Sequence, residues 1–273
     1  MEILSMENEV RRIQLKCLEI LSVVDEICRK YAIEYSLCGG SVVGAHLYGK
    51  CLPWDDDVDL MMTRENYNRF LSVAPCELPN GFSIHSFQLS DDFTTTFTKI
   101  MNDNTTIIQQ DGTISGVFLD ITVYDRIPND WRRKIDVQLW KLSQIVMIGQ
   151  VNADGLKQRA RNFALKTMLK DRRVYLHFFQ RCAERLGKCK DYSYAELFGA
   201  YCNTKPFAPT IFENYTDIVF EGRDYRVVRD YIEYLETRYD RTDFHEPKEK
   251  QIAPHYKYVN LQLPYQNYLQ KQG

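Results

Sequence analysis

The chain has 273 residues, 44% of them hydrophobic and 26% charged, and a formal net charge of −2. That length can bury a sizeable core in one large domain or two, and the composition excludes a disordered, collagenous or disulfide-scaffolded chain. No apolar run approaches the ~18–20 residues needed to span a bilayer, so any membrane contact is expected to be peripheral. The small net charge hides an asymmetry: Asp130 to Lys190 holds 15 Lys or Arg against 5 Asp or Glu, a local +10, which leaves −12 on the remainder. Such a split suggests an acidic, metal-binding part and a basic part facing phosphate-rich partners or an anionic membrane. The eight cysteines are scattered and form no C-x-x-C pair. With no signal peptide at the start, reduced thiols and a cytoplasmic location are expected.

In chain order, Asn8 to Tyr31 keeps Val10, Ile13, Cys17, Ile20, Leu21, Val24, Ile27 and Cys28 at three- and four-residue spacing, the pattern of an amphipathic helix. Ile33 to Leu37 alternates as a short strand. Gly39-Gly40-Ser41 then opens an apolar stretch, Val42 to Leu47, that can begin a helix. Glycine lets backbone approach a ligand, and a helix N-terminus offers unpaired N–H groups to phosphate; taken alone, the same glycines also read as a plain tight turn. Gly49 and Pro53 break the chain before Trp54, which either packs beneath a site or stacks on a base.

Asp55-Asp56-Asp57-Val58-Asp59-Leu60 is the strongest signal. On a strand, Asp57 and Asp59 project to one face while Val58 and Leu60 enter the core. Two carboxylates held that close repel unless a cation lies between them, and hard oxygen ligands suit Mg²⁺ (or Mn²⁺). Thr63 to Leu71 follows as a capped helix, Pro75 to Gly81 as a loop, and Phe82 to Phe87 and Thr94 to Met101 as strands. Lys99, on the second of these, either faces water or reaches a phosphate. Asn102 to Asn104 reads as a turn. Val117 to Tyr124 is an apolar strand interrupted by Asp120, an acid that is costly to bury unless paired or metal-bound. Beside Asp57 and Asp59 it would complete a three-carboxylate cluster; on an edge strand it would face solvent. Asp125 is expected to cap the turn that follows.

From Trp131 the texture becomes helical, with Lys157 to Leu186 as one long patterned stretch. Val219 to Val227 reads as a hairpin turning at Glu221 to Asp224, ahead of a helix through Tyr239. The division expected is a catalytic core over 1–128 and a mainly helical basic region with a late hairpin over 129–273.

These residues resemble the LicD family of phosphocholine transferases, in the nucleotidyltransferase superfamily, with fukutin-type glycan phosphotransferases as relatives. The likeness runs through Asp25 to Cys28, Tyr35, Gly39 to Ala45, Pro53 to Asp59, Arg64, Tyr67 and Phe70. It continues in Lys99, Asp103, Thr105 and Gly116 to Ile121, then more faintly in Phe220 to Gly222 and in Pro247, Glu249, Lys250 and His255. The P-W-D-D-D-x-D string is the specific part. The resemblance implies an α/β fold with a mixed sheet flanked by helices. It also implies Asp57 and Asp59 as the metal pair, Asp120 as the third carboxylate, and Gly40 with Ser41 as the donor-phosphate turn, which Gly39 precedes. Two departures stand out. The family's arginine after Gly-Ala is Leu47 here, with Lys50 a substitute in a loop whose Lys–Gly order is reversed. The family's Tyr-Gly-Asp reads Tyr239-Asp240-Arg241.

The function so implied is Mg²⁺-dependent transfer of a phospho-alcohol, phosphocholine or a similar group, from a CDP-linked donor to a hydroxyl of a glycan or lipid-linked glycan precursor. A nucleotidylyltransferase releasing pyrophosphate and a non-catalytic nucleotide-binding module are the rivals. A nucleic-acid partner is not expected, because no aromatic stacking motif accompanies the basic segment.

Overall fold

A computed structural model describes residues 2–90, 93, 97–110, 112–148, 172–197, 203–240 and 256–270. Contacts divide the chain into two compact units: residues 1–84, 99–122 and 210–273 form the first, and residues 85–98 and 123–209 the second.

The first unit is an α/β fold built from a helix-flanked sheet, as the resemblance implies. Helix α1 (Glu2–Lys30) buries the predicted stripe from Val10 to Cys28 almost completely. Its hydrophobic periodicity therefore does what the pattern requires: one side packs, the other carries Lys16, Glu19 and Lys30. It ends at Ala32, whose φ of 49° turns the chain as Ile33 N–H closes onto Cys28 O. Strand β1 (Ser36–Leu37) pairs antiparallel with β2 (Asp59–Thr63). Between them lies α2 (Gly39–Tyr48), which begins on the glycine pair itself and is closed by Gly49 in the left-handed region, φ 62°. Helix α3 (Arg64–Glu77) carries Pro75 inside its last turn, so the loop expected from Pro75 begins only at Leu78. Proline is tolerated there because only one backbone bond is lost and the helix is about to end.

Strands β3 (Phe82–His85), β4 (Thr98–Gln109) and β5 (Ile114–Pro128) follow. The sheet order is β1-β2-β5-β4-β10, with β10 spanning Tyr256–Asn260 and β3 attached to β4. β5 is thus central, and Val117, Leu119 and Ile121 are buried while Phe118 and Asp120 remain partly open. The turn expected at Asn102 to Asn104 is instead inside β4. There Gly116 gives it room: a Cβ on that glycine would fall 2.3 Å from Asn102 O. Asp125 is likewise not a turn cap but a buried residue within β5, 2% exposed.

The late hairpin, β8 (Tyr215–Phe220) and β9 (Arg223–Val228), turns on Glu221-Gly222, both at positive φ, the tight two-residue loop whose twist matches the strands. A salt-linked set joins it to the N-terminal elements. Arg11 donates to both oxygens of Glu221, Arg226 grips Glu34, and Arg29 spans Asp25 and Asp217. Helices α6 (Tyr231–Tyr239) and α7 (Tyr265–Gln270) complete the unit.

The second unit contains α4 (Arg133–Ile148), α5 (Arg172–Leu186), β6 (Tyr192–Glu196) and β7 (Asn203–Phe207). β6 pairs with Asp125 to Pro128 of β5 and with β7. Phe87, Ile127, Leu139, Leu176, Phe179, Ala183, Ala195 and Leu197 form its core. Of the long helical pattern read over Lys157 to Leu186, the part before Arg172 lies outside the described residues, as do Pro247, Glu249, Lys250 and His255. No helix among the described residues is long and apolar enough to cross a membrane.

Candidate active site

The site forms where the acid run passes the N-terminus of α2. Val58 and Leu60 are fully buried, so the alternation places Asp57 and Asp59 on the opposite, half-open side. Strand β2 starts only at Asp59, and Asp57 belongs to the extended segment just before it. Ser41 fixes Asp59 from below: its hydroxyl, 4% exposed, accepts the Asp59 N–H at 2.9 Å. Cys38 N–H adds a bond to Asp59 O at 3.0 Å.

The glycines are there for closeness. Gly39 has φ +56°, and a Cβ on it would stand 3.3 Å from Asp59 Oδ2. A Cβ on Gly40 would stand 2.0 Å from Asp55 Oδ2, an overlap no side chain tolerates. Two carboxylates therefore face the first turn of α2, the end where unpaired N–H groups favour negative charge.

Among the described residues, the acids close enough to share one ion are Asp55, Asp56 and Asp57, which each offer an oxygen within 4.8 Å of the others. Asp57 carries the strain of this crowding. Burial pushes its carboxyl well above the usual range, and the charges of Asp59, Asp55, Asp56 and Asp120 push it the same way. Carboxylates crowded so closely that they resist carrying charge together are the donor set a divalent metal would relieve, so these residues fit Mg²⁺ or Mn²⁺.

Asp120 stands beside the acid run, its N–H directed to Val58 O at 3.4 Å. Both its oxygens accept from Lys99 Nζ, at 2.9 and 3.2 Å, and that ammonium also lies 3.1 Å from the centre of the Phe118 ring. Burial raises the Asp120 carboxyl, and Lys99 pulls it back. The lysine that sequence left between water and phosphate is thus tied to the third carboxylate. Lys50 is exposed, and Trp54 is half-buried just before the acids.

Three further contributors are absent from the site residues expected from sequence, although Glu221 and Tyr239 lie in stretches compared with the family. Gln14, buried at 3%, donates from one amide nitrogen to Leu52 O and Asp55 O, at 2.9 and 2.7 Å, and so holds the acid run against α1. A polar residue between Ile13 and Cys17 on an otherwise apolar stripe was its signal. Glu221 accepts the Cys51 N–H and donates its own N–H to Gly49 O, fixing the loop ahead of the acids. Tyr239 brings its hydroxyl to 4.0 Å from the Cβ position of Gly39, and burial raises its phenol. Next to the acids is a cleft bordered by Asp56, Asp57, Gln109, Phe118, Tyr256 and three aliphatic side chains.

Comparison with known proteins gives two matches. Residues 32–141 match the family model described as LicD/FKTN/FKRP, nucleotidyltransferase domain. The lipopolysaccharide cholinephosphotransferase LicD of Haemophilus influenzae is 30% identical over 260 residues, covering 90% of this chain and 96% of that protein.

Proposed function

The chain belongs to the LicD family, and from that premise we propose that it transfers a phospho-alcohol, phosphocholine or a close analogue, from a CDP-linked donor to a hydroxyl of a cell-surface glycan precursor. The observation that carries the reading is the crowded acid run set against the glycine-opened N-terminus of α2, within a chain that aligns along nearly the whole length of a cholinephosphotransferase.

The division of labour follows from position. Asp57, with Asp55 and Asp56 close enough to share an ion with it, would hold Mg²⁺ or Mn²⁺, with Asp59 and Asp120 as the further acids the resemblance implies; the ion when bound would offset the charge of the donor's phosphates. Gly39 and Gly40 present backbone N–H groups to a phosphate oxygen, and Ser41 keeps Asp59 in register with them. Trp54 and Lys50 flank this loop and are proposed as contacts to the nucleotide and its phosphates. Asp120, held in place by Lys99, accepts the proton of the attacking hydroxyl. Burial raises its affinity for protons, against the pull of Lys99. An O–P bond forms to the acceptor, the P–O bond to the nucleotide breaks, and CMP leaves. Work on a lipid-linked precursor would place the enzyme in the cytoplasm, at the inner membrane face.

A donor screen with Mg²⁺ tests the proposal. CDP-choline labelled in its choline should leave the label on the acceptor and release CMP. Release of pyrophosphate from a nucleoside triphosphate, with the nucleotide kept on the acceptor, would make the protein a nucleotidylyltransferase instead.

A further inference from the structure

The cleft beside the acid run has a chemistry that phosphate handling does not use. Its free volume is about 390 Å³ counting the open mouth. Ile13 and Ile107 form apolar walls, Asp56 supplies a carboxylate, and Phe118 and Tyr256 supply aromatic rings. Among the described residues none of its lining side chains is basic. A phosphate would find few donors there. A compact cation with an apolar surface would find what it needs, a carboxylate for its charge and ring faces and methyl groups for its skin.

The two rings are not equivalent. Phe118 already carries the ammonium of Lys99, a charge that Asp120 offsets. Tyr256 sits opposite Gln109 in the β10–β4 pairing and is 9% exposed. The acids that act on its phenol are Glu9 and Asp56. The corner formed by Tyr256 and Asp56 is therefore both aromatic and anionic, and Asp57 of the acid run borders the same cleft.

We propose that this cleft receives a quaternary ammonium head group, with the Tyr256 ring and the Asp56 carboxylate as the contacts that select it over neutral alcohols. The inference rests on the transferase reading in one respect, that the cation arrives attached to a phosphate held at the neighbouring acids. It adds the residues that would choose which alcohol is moved.

Calorimetry with Mg²⁺ and two small probes, phosphocholine and glycerol phosphate, tests it without requiring turnover. The wild-type protein should bind phosphocholine about tenfold more tightly, the discrimination expected of one partly desolvated cation–π contact assisted by a carboxylate. Tyr256→Leu should bring the two affinities to within about twofold by weakening phosphocholine alone, while Tyr256→Phe keeps the preference. Circular dichroism checks that the variants are folded. Equal affinities in the wild type, no phosphocholine binding, or a preference that survives Tyr256→Leu would overturn the assignment. A preserved preference in a protein that turns over no CDP-alcohol would sink the transferase reading and leave the cleft assignment standing.

Discussion

Asp136, in the first turn of α4, is 1% exposed, and among the described residues neither of its carboxylate oxygens has a hydrogen-bond partner. Burial, then the nearby charge of Asp125, raises its carboxyl from the ordinary 3.8 to about 7, with Arg132 opposing. A folded state that holds the proton more tightly than the unfolded chain is favoured at low pH, and that advantage fades as pH rises from about 4 to about 7. At ~1.4 kcal/mol per unit the full loss is on the order of 4 kcal/mol, of which roughly 2–3 falls between pH 5 and pH 8.5. Asp136→Asn keeps the shape and removes the charge, so its stability should be flat over that interval wherever this residue is the cause. Urea unfolding of both proteins at pH 5, 7 and 8.5, followed by a probe in the second unit, gives the comparison. The variant should be the more stable at pH 8.5 and about equal to wild type at pH 5. Parallel curves for the two proteins would show that Asp136 does not titrate in this range and would refute the reasoning.

Other expectations bear on the site. Asp57→Asn and Asp59→Asn should each lower turnover by about 10²–10⁴ or more, since charge neutralisation by a metal contributes several kcal/mol to such barriers, while thermal unfolding shows no loss of stability; near-normal turnover in either variant would remove that residue from the mechanism. Lys99→Met should cost about 1–3 kcal/mol because it leaves the partly buried Asp120 carboxylate without its partner, and Asp120→Asn in the same chain should restore much of it, read by a double-mutant cycle in urea. Glu221→Ala removes the acceptor for Arg11 and for Cys51 N–H and should destabilise by about 1–3 kcal/mol, visible in chemical denaturation. The +10 segment should bring the protein down with anionic vesicles at low salt and release it at moderate salt, whereas neutral vesicles should leave it in solution.

The sequence was most legible where one period and one chemistry coincide. The α1 stripe, the alternation through Val58 and Leu60, the glycine-opened helix and the hairpin before α6 all follow from side chains that must be inside or outside. The acid on the apolar β5 strand also announced a partner, although it took the fold to supply Lys99. What stayed hidden depends on long-range contact. Asn102 to Asn104 has turn composition, yet it continues a strand because Gly116 leaves space for its backbone. Asp125 looks like a cap, and only the pairing of β5 with β6 takes it inside. Strands β6, β7 and β10 carry no clean alternation of their own and are held by partners far away in the chain. Gln14 and Glu221 act on the acid run through backbone groups, which leave no trace in residue spacing.

The grip of the hairpin turn on the loop before the acids has a consequence for synthesis. Glu221 meets Gly49 and Cys51 about 170 positions after they have left the ribosome. At ~5–20 residues per second that interval is on the order of 10–30 s. Throughout it the growing chain carries its acidic segment without the clasp that shapes it. The part that matches the family model, residues 32–141, lacks both Arg11 and Glu221 and so both halves of the clasp. A fragment cut at those borders would emerge as an apolar sheet missing its covering helix and its closing turn. Such a piece is prone to aggregate, and the shortest portion able to assemble the acids must reach from α1 beyond the hairpin.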